Sequence, residues 1–423
     1  MIDRLIAHWA SDRLSPRPQG EFARSWTILL ACIIGLLVGP QALITYTAGV
    51  YYTPLEQEFG WSRTQLSFAQ TIVPVIFALT SPLVGLLNDR WGEARVVATS
   101  LGLMVVPIFL LSRMNGSVEI YWLLFALLAL FGTGATTLTF SQVASTHFVL
   151  KRGLALGIAL SGTGLAALFG PPVVAWVVAT FGWRGGYLAV AAFILLASPF
   201  VVWPILRSQS ARDAIKRQQV GFQGGTMGDA WRTSSFWILA LAFPLIAYAA
   251  TGLIIHYVPM LIDRGVPPQQ AASIAGLTGI FLIAGRLLSG YIVDRVTASR
   301  FAAIIMLVAA AMLGAFAYVD SRFAWIGAIA IGLSIGAEFD LMAYMVAQYF
   351  GMARFGRVYG LIYALTVAAA SVSPLAFGAI HDRTGSYFAA LLLSSVLLGV
   401  AAFAFMLLPR PNSRPAPEPA SQP

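Results

Sequence analysis

Three charged residues stand where charge is expensive. Arg286, Glu338 and Asp340 lie inside long apolar stretches, where an ionised side chain at the middle of a membrane helix costs about 2.5–3.5 kcal/mol. Arginine cannot shed its proton, and its planar fork grips a carboxylate through two parallel hydrogen bonds. Arg286 is therefore a candidate anchor for an anion, or else half of a structural ion pair with Glu338 or Asp340. It lies nine residues before Arg295, about 13 Å of helix, so reaching the membrane surface would strain its side chain. Glu338 and Asp340 fall about 200° apart around a helix and cannot share a face. Asp340 heads a stripe with Tyr344 and Gln348, whereas Glu338 aligns with Ser334, Met342 and Met345. Either acid could carry a proton. His256 has the titration range for the same task, or serves as a neutral hydrogen-bonding group. Tyr46, Gln142, Tyr248 and Tyr363 add hydroxyl and amide donors to a substrate, with aromatic packing or helix-to-helix bonding as their other use.

The elements that must position these groups are apolar helices. Hydrophobic residues make up 58% of the chain, charged residues only 10%, and the mean hydropathy is +0.79, which excludes an ordinary soluble domain. Twelve stretches can be marked, at 26–52, 64–87, 95–113, 120–147, 153–179, 184–206, 235–260, 270–292, 301–319, 323–349, 358–380 and 387–408. Each can cross about 30 Å of hydrocarbon as a helix. Helices are required because lipid leaves open backbone groups unsatisfied, and the alternation of a membrane barrel is missing.

Basic residues orient the chain. The six loops expected outside carry one arginine each (Arg63, Arg113, Arg184, Arg264, Arg322 and Arg383), and Arg286 lies within a span. The remaining lysines and arginines fall on the other side, which places both termini in the cytoplasm. The pI near 9.9 is then a topology signal and not a footprint for nucleic acid. Residues 1–25 form a polar cytoplasmic segment without the features of a cleavable signal, 207–234 a basic linker, and 409–423 a Pro-rich tail expected to be disordered. No phosphate-binding loop, metal-ligand cluster or nucleophile motif appears, so energy is expected to come from a gradient and not from nucleotide hydrolysis, and no cofactor, metal or enzymatic activity is expected. The lone Cys32 permits no disulfide within the chain.

The chain repeats itself. Gly85-Leu-Leu-Asn-Asp89-Arg90-Trp-Gly92-Glu-Ala-Arg95 follows one apolar run, and Gly290-Tyr-Ile-Val-Asp294-Arg295 follows another 205 positions on. The same offset relates Tyr52 to Tyr257, Pro54 to Pro259 and Gly60 to Gly265. Two equivalent apolar segments, 26–206 and 235–408, are the signature of a carrier that rocks about a central site. Small residues in the fourth and fifth spans (Gly132, Gly134, Gly153, Gly157, Ser161, Gly162 and Gly164) permit close helix packing, static or sliding.

Gly85-x-x-x-Asp89-Arg90-x-Gly92 resembles the signature loop of the major facilitator superfamily, and the copy at Gly290, Asp294 and Arg295, which lacks the second glycine, is similar to its usual partner. The resemblance implies an all-α fold of twelve membrane helices in two pseudo-symmetric six-helix halves. It also implies that the loop latches the cytoplasmic gate. Narrower matches resemble the oxalate–formate antiporter and monocarboxylate transporter branch: Glu58-Phe-Gly60-Trp61-Ser62-Arg63, Lys151-Arg152-Gly153 with Ser161-Gly162, Gly182-Trp183-Arg184, Gly285-Arg286, and Gly336-Ala337-Glu338-Phe-Asp340. In that branch the arginine of helix eight anchors the substrate anion. Two departures narrow the expectation. The span 358–380 lacks the lysine that the oxalate carriers hold in helix eleven. Leu282 stands where animal monocarboxylate carriers have an aspartate one turn before the arginine.

The expectation is a secondary transporter of a small organic anion, most simply a monocarboxylate, coupled to protons and working as a monomer in a bacterial cytoplasmic membrane. Its substrate-contacting candidates are Arg286, Tyr46, Gln142, Tyr248, His256 and Tyr363, its proton carrier Glu338 or Asp340, and its gate Gly85, Asp89, Arg90, Gly92, Arg95, Gly290, Asp294 and Arg295. An exporter of drugs or amphipathic metabolites, with a structural Arg286, is the alternative within transport. A membrane sensor without flux is the alternative outside it.

Overall fold

A computed structural model describes residues 18–148, 152–212, 231–293 and 296–409. The described chain is helical. In order come α1 (Pro18–Val38), α2 (Pro40–Phe59), α3 (Arg63–Trp91), α4 (Glu93–Leu111), α5 (Val118–Gly132), a 3-10 turn (Thr133–Ala135) and α6 (Thr137–His147). Then follow α7 (Arg152–Arg212), α8 (Ser234–Asp263), α9 (Pro268–Ile292), α10 (Ala298–Tyr318), a second 3-10 turn (Ser321–Phe323), α11 (Trp325–Phe350), α12 (Met352–Thr384) and α13 (Phe388–Met406). Among the described residues, eleven helical segments are long and apolar enough to cross a membrane. One of them, Leu154–Ser208, contains two spans, because Gly182 turns the chain at φ 72° inside α7. Twelve crossings result.

Two spans of the first half are interrupted, and the interruptions meet. The first span breaks at Gly39–Pro40, where proline has no N–H to continue a helix and Gly39 is extended (φ −64°, ψ 159°). The fourth breaks at Thr133–Ala135, with Thr136 extended. A side chain at Gly39 would lie 2.9 Å from the Ala135 carbonyl, and one at Gly132 would lie 2.8 Å from the Pro40 ring. The two breaks thus pack on each other, which keeps their loosened backbone inside protein and away from lipid. The corresponding spans of the second half, α8 and α11, run unbroken.

The halves close on each other at one end. There the loops that follow the odd-numbered spans gather: Glu58 binds Arg184, Arg184 reaches the Met114 carbonyl, Arg264 reaches that of Phe316, and Arg63 binds Asp263 across the halves. This is the closed end. The backbones touch there, since a side chain at Gly378 would lie 2.8 Å from the Arg63 carbonyl. Below it, α7 and α9 meet glycine to glycine at Gly164 and Gly279. Further along α7 and α12 a side chain at Gly157 or Gly360 would meet open space.

Candidate functional site

Arg286 sits in the contact between halves. Its helix, α9, is pinned on one side to α11, where Gly332 and Gly336 give no side chain to hold the backbones of Thr278 and Leu282 apart. On the other side it meets α7, and Arg286 Nη1 donates to the Leu160 carbonyl at 2.8 Å. Its Nε lies 3.6 Å from Asp340 Oδ2, beyond hydrogen-bond length, and has no hydrogen-bond partner although it is buried. The Arg286 side chain is only 12% accessible, that of Asp340 36%. A fork that retains an unspent donor beside an accessible carboxylate can bind a second carboxylate.

The two acids of α11 are sorted by packing. Glu338 is buried with Ser334, Met342 and Met345, and its Oε1 lacks a hydrogen-bond partner. The Asp340 stripe is accessible along its length, through Tyr344 to Gln348. Asp340 is therefore the acid that faces Arg286, and Glu338 the acid set into the packing.

Aromatic groups complete the surroundings. Tyr359 and Tyr363 of α12 stack with centroids 5.9 Å apart, and Phe339 tilts against Tyr363 at 5.7 Å. Tyr363 stays 42% accessible while lying within electrostatic reach of Glu338. Tyr46 of α2 is likewise near enough to feel the charge of Arg286. Arg286 and Asp340 thus form a charged pair drawn from the eighth and tenth spans, with Tyr46 and Tyr363 of the first and eleventh spans within longer electrostatic range of Arg286 and Glu338 respectively.

The other expected contacts lie elsewhere. Gln142 accepts from Asn88 Nδ2 at 3.2 Å, next to the Gly85–Arg95 loop. Tyr248 packs 6.1 Å from Phe377, and its carbonyl accepts from the Ser373 hydroxyl. His256 is fully buried in the closed end. The Pro374 carbonyl, 2.9 Å from its Nε2, can only accept, so that nitrogen carries the hydrogen; Nδ1 then accepts from the Tyr387 hydroxyl at 2.7 Å. Ser67 lies 3.0 Å from Nε2. Both nitrogens are spent on protein partners. Of the loop motif, Arg90 and Arg95 are exposed and Gly92 ends α3 at φ 84°. Asp294 and Arg295 fall outside the described residues, as does the side chain of Asp89.

Sequence reasoning missed the principal charged cluster of the closed end, built from Glu56, Arg63, Asp263, His381 and Asp382. One signal was present: Asp263 repeats Glu58 at the 205-residue offset. Nothing in the repeat pointed to Arg63, whose counterpart is Pro268.

The description "Major Facilitator Superfamily" belongs to the family model that matches residues 34–339 and 265–423. Human monocarboxylate transporter 11 is 26% identical over 94% of this chain and 86% of its own length. Human monocarboxylate transporter 12 is 23% identical, over 92% and 82%. Among solved structures, a bacterial homolog of the human lysosomal transporter Spinster, in an inward-facing and occupied conformation, superposes with a TM-score of 0.67 at 18% identity. That match covers 91% of this chain and 96% of the other.

Proposed function

The chain belongs to the Major Facilitator Superfamily, and from that premise we propose that it carries a small organic monoanion together with a proton by alternating access. The observation that carries this reading is Arg286, a deeply placed guanidinium with an unspent Nε beside an accessible Asp340. In the empty site Asp340 is the nearest counter-ion. A substrate carboxylate takes that place on the fork, and two carboxylates would then face one guanidinium. A proton on Asp340 removes the conflict, which ties anion entry to proton entry. In this reading Tyr46, within electrostatic reach of Arg286, donates to the bound anion, and the accessible ring of Tyr363 contacts its organic portion. Resemblance to monocarboxylate transporters supports a monocarboxylate. The arginine bias of the loops supports cytoplasmic termini, so that the closed end faces outward and the state is inward-facing. The setting is a bacterial cytoplasmic membrane, the working unit a monomer.

Uptake of a panel of radiolabelled monocarboxylates into proteoliposomes, with and without an inward proton gradient, tests the reading. Gradient-stimulated uptake of one acid is expected. Charge-assisted hydrogen bonds contribute about 1.5–3 kcal/mol, so Arg286→Ala should weaken apparent affinity by about tenfold to a hundredfold. Asp340→Asn should leave anion uptake that no longer responds to the gradient. Carboxylate flux untouched by Arg286→Ala, or none at all, would return Arg286 to a structural role and favour export of amphipathic metabolites.

A further inference from the structure

The closed end is held by a charge cluster that is divided between the halves in an informative way. Arg63, the first residue of α3, is 5% accessible and spends all five of the N–H donors a guanidinium possesses. Nε binds Glu56 Oε1 at 2.7 Å and Nη2 binds Glu56 Oε2 at 3.4 Å, both within the first half. Across the gap Nη2 binds Asp263 Oδ1 at 2.7 Å, and Nη1 binds Asp263 Oδ2 and the Tyr387 hydroxyl, the latter at 3.1 Å. Asp382 accepts from the backbone N–H groups of Arg63 at 3.2 Å and Thr64 at 2.9 Å, capping α3 from the opposite half. His381 Nε2 lies 3.2 Å from the same Asp263, its ring stacks on Tyr387, and its buried Nδ1, without a hydrogen-bond partner, lies 3.8 Å from Asp382 Oδ1.

We propose that His381 is a proton-sensitive release for this end of the molecule: its protonation loosens the clasp between Arg63 and Asp263 and favours opening there. Each half owns a pair that survives separation, Arg63 with Glu56 in the first and His381 with Asp263 in the second. With a neutral imidazole, Asp263 has one full cation, and that cation belongs to the other half. A charged imidazole gives Asp263 a cation of its own and sets two positive groups on one carboxylate from opposite sides of the gap. The groups around His381 are Asp263 and His256 from α8, Arg63 from α3, Glu56 from α2, Tyr387 ahead of α13 and Asp382 on its own helix. Of these only Glu56 would attract a charged His381 across the halves. It stands behind the guanidinium, so repulsion from Arg63 is the stronger effect.

The test reads geometry, so it stands or falls apart from any transported substrate. In a Cys32→Ala background, spin labels on Asn115→Cys and Arg322→Cys, exposed positions on closed-end loops of the two halves, report their separation in lipid nanodiscs. Between about pH 8 and about pH 5.5 the open-to-closed ratio should rise about tenfold. His381→Gln should stay closed and flat with pH, and His381→Arg should be open at both values. The proposal is overturned if the unsubstituted protein shows no shift, if His381→Gln keeps it, or if a folded His381→Arg remains closed. Folding is checked by size exclusion and helical circular dichroism. If His381→Arg does not fold, the pH profile of His381→Gln alone still decides.

Discussion

Two acids two residues apart on α11 have different work because one is packed and the other is not. Asp340 shares an accessible face with Tyr344 and Gln348, while Glu338 is fixed among Ser334, Met342 and Met345. The helical period separates these faces from sequence alone. It does not say which neighbour each face will meet, and that is settled by α9 pressing on Gly332 and Gly336. The same limit applies to Arg286: its cost inside a membrane marks it from the sequence, whereas its bond to Leu160 joins residues 126 apart and leaves no local trace. If Asp340 carries the proton, Glu338→Gln should retain gradient-stimulated uptake to within about twofold, since it keeps the shape of a side chain packed with Ser334, Met342 and Met345. Loss of gradient response in Glu338→Gln with its preservation in Asp340→Asn would exchange their roles.

At the scale of elements, the repeat builds similar corners and employs them differently. Glu58 and Asp263 are counterparts, each just before a left-handed glycine, Gly60 or Gly265. Asp263 reaches across to Arg63, but Glu58 stays in its own half, accepting from the Trp183 ring N–H and from Arg184 Nη1 at 2.7 Å. The bond from Trp183, then that from Arg184, hold the Glu58 carboxyl below its ordinary value. A depressed carboxyl value in the folded state contributes stability above the unfolded value, near 4.3, and that contribution disappears as pH falls through the folded one. Thermal unfolding in detergent should therefore show a shallower acid decline for Glu58→Gln than for the unsubstituted protein between about pH 5 and about pH 3. Parallel declines would mean that Glu58 gains nothing from these partners on folding. Such corners are partly legible: the glycines and the repeat announce a turn, but the arginine that answers each carboxylate comes from a distant loop.

Across the whole molecule, lipid made the architecture readable. A bilayer forces each crossing into a helix of a certain length, so twelve apolar stretches and one duplicated loop suffice to name the fold. What the repeat conceals is the departure from symmetry: interrupted spans in the first half, and the Arg286–Asp340 pair in the second. That pair has an electrical consequence. Emptied, the site holds one positive and one negative charge; loaded with a monoanion and a proton on Asp340, it again holds one of each. The membrane potential, worth about 2.3 kcal/mol per elementary charge per 100 mV, then has nothing to pull on in either direction of the cycle. Proteoliposomes clamped with potassium and valinomycin should take up substrate at the same initial rate across the imposed potentials. A steep dependence would mean that the anion travels with a different number of protons, or with none.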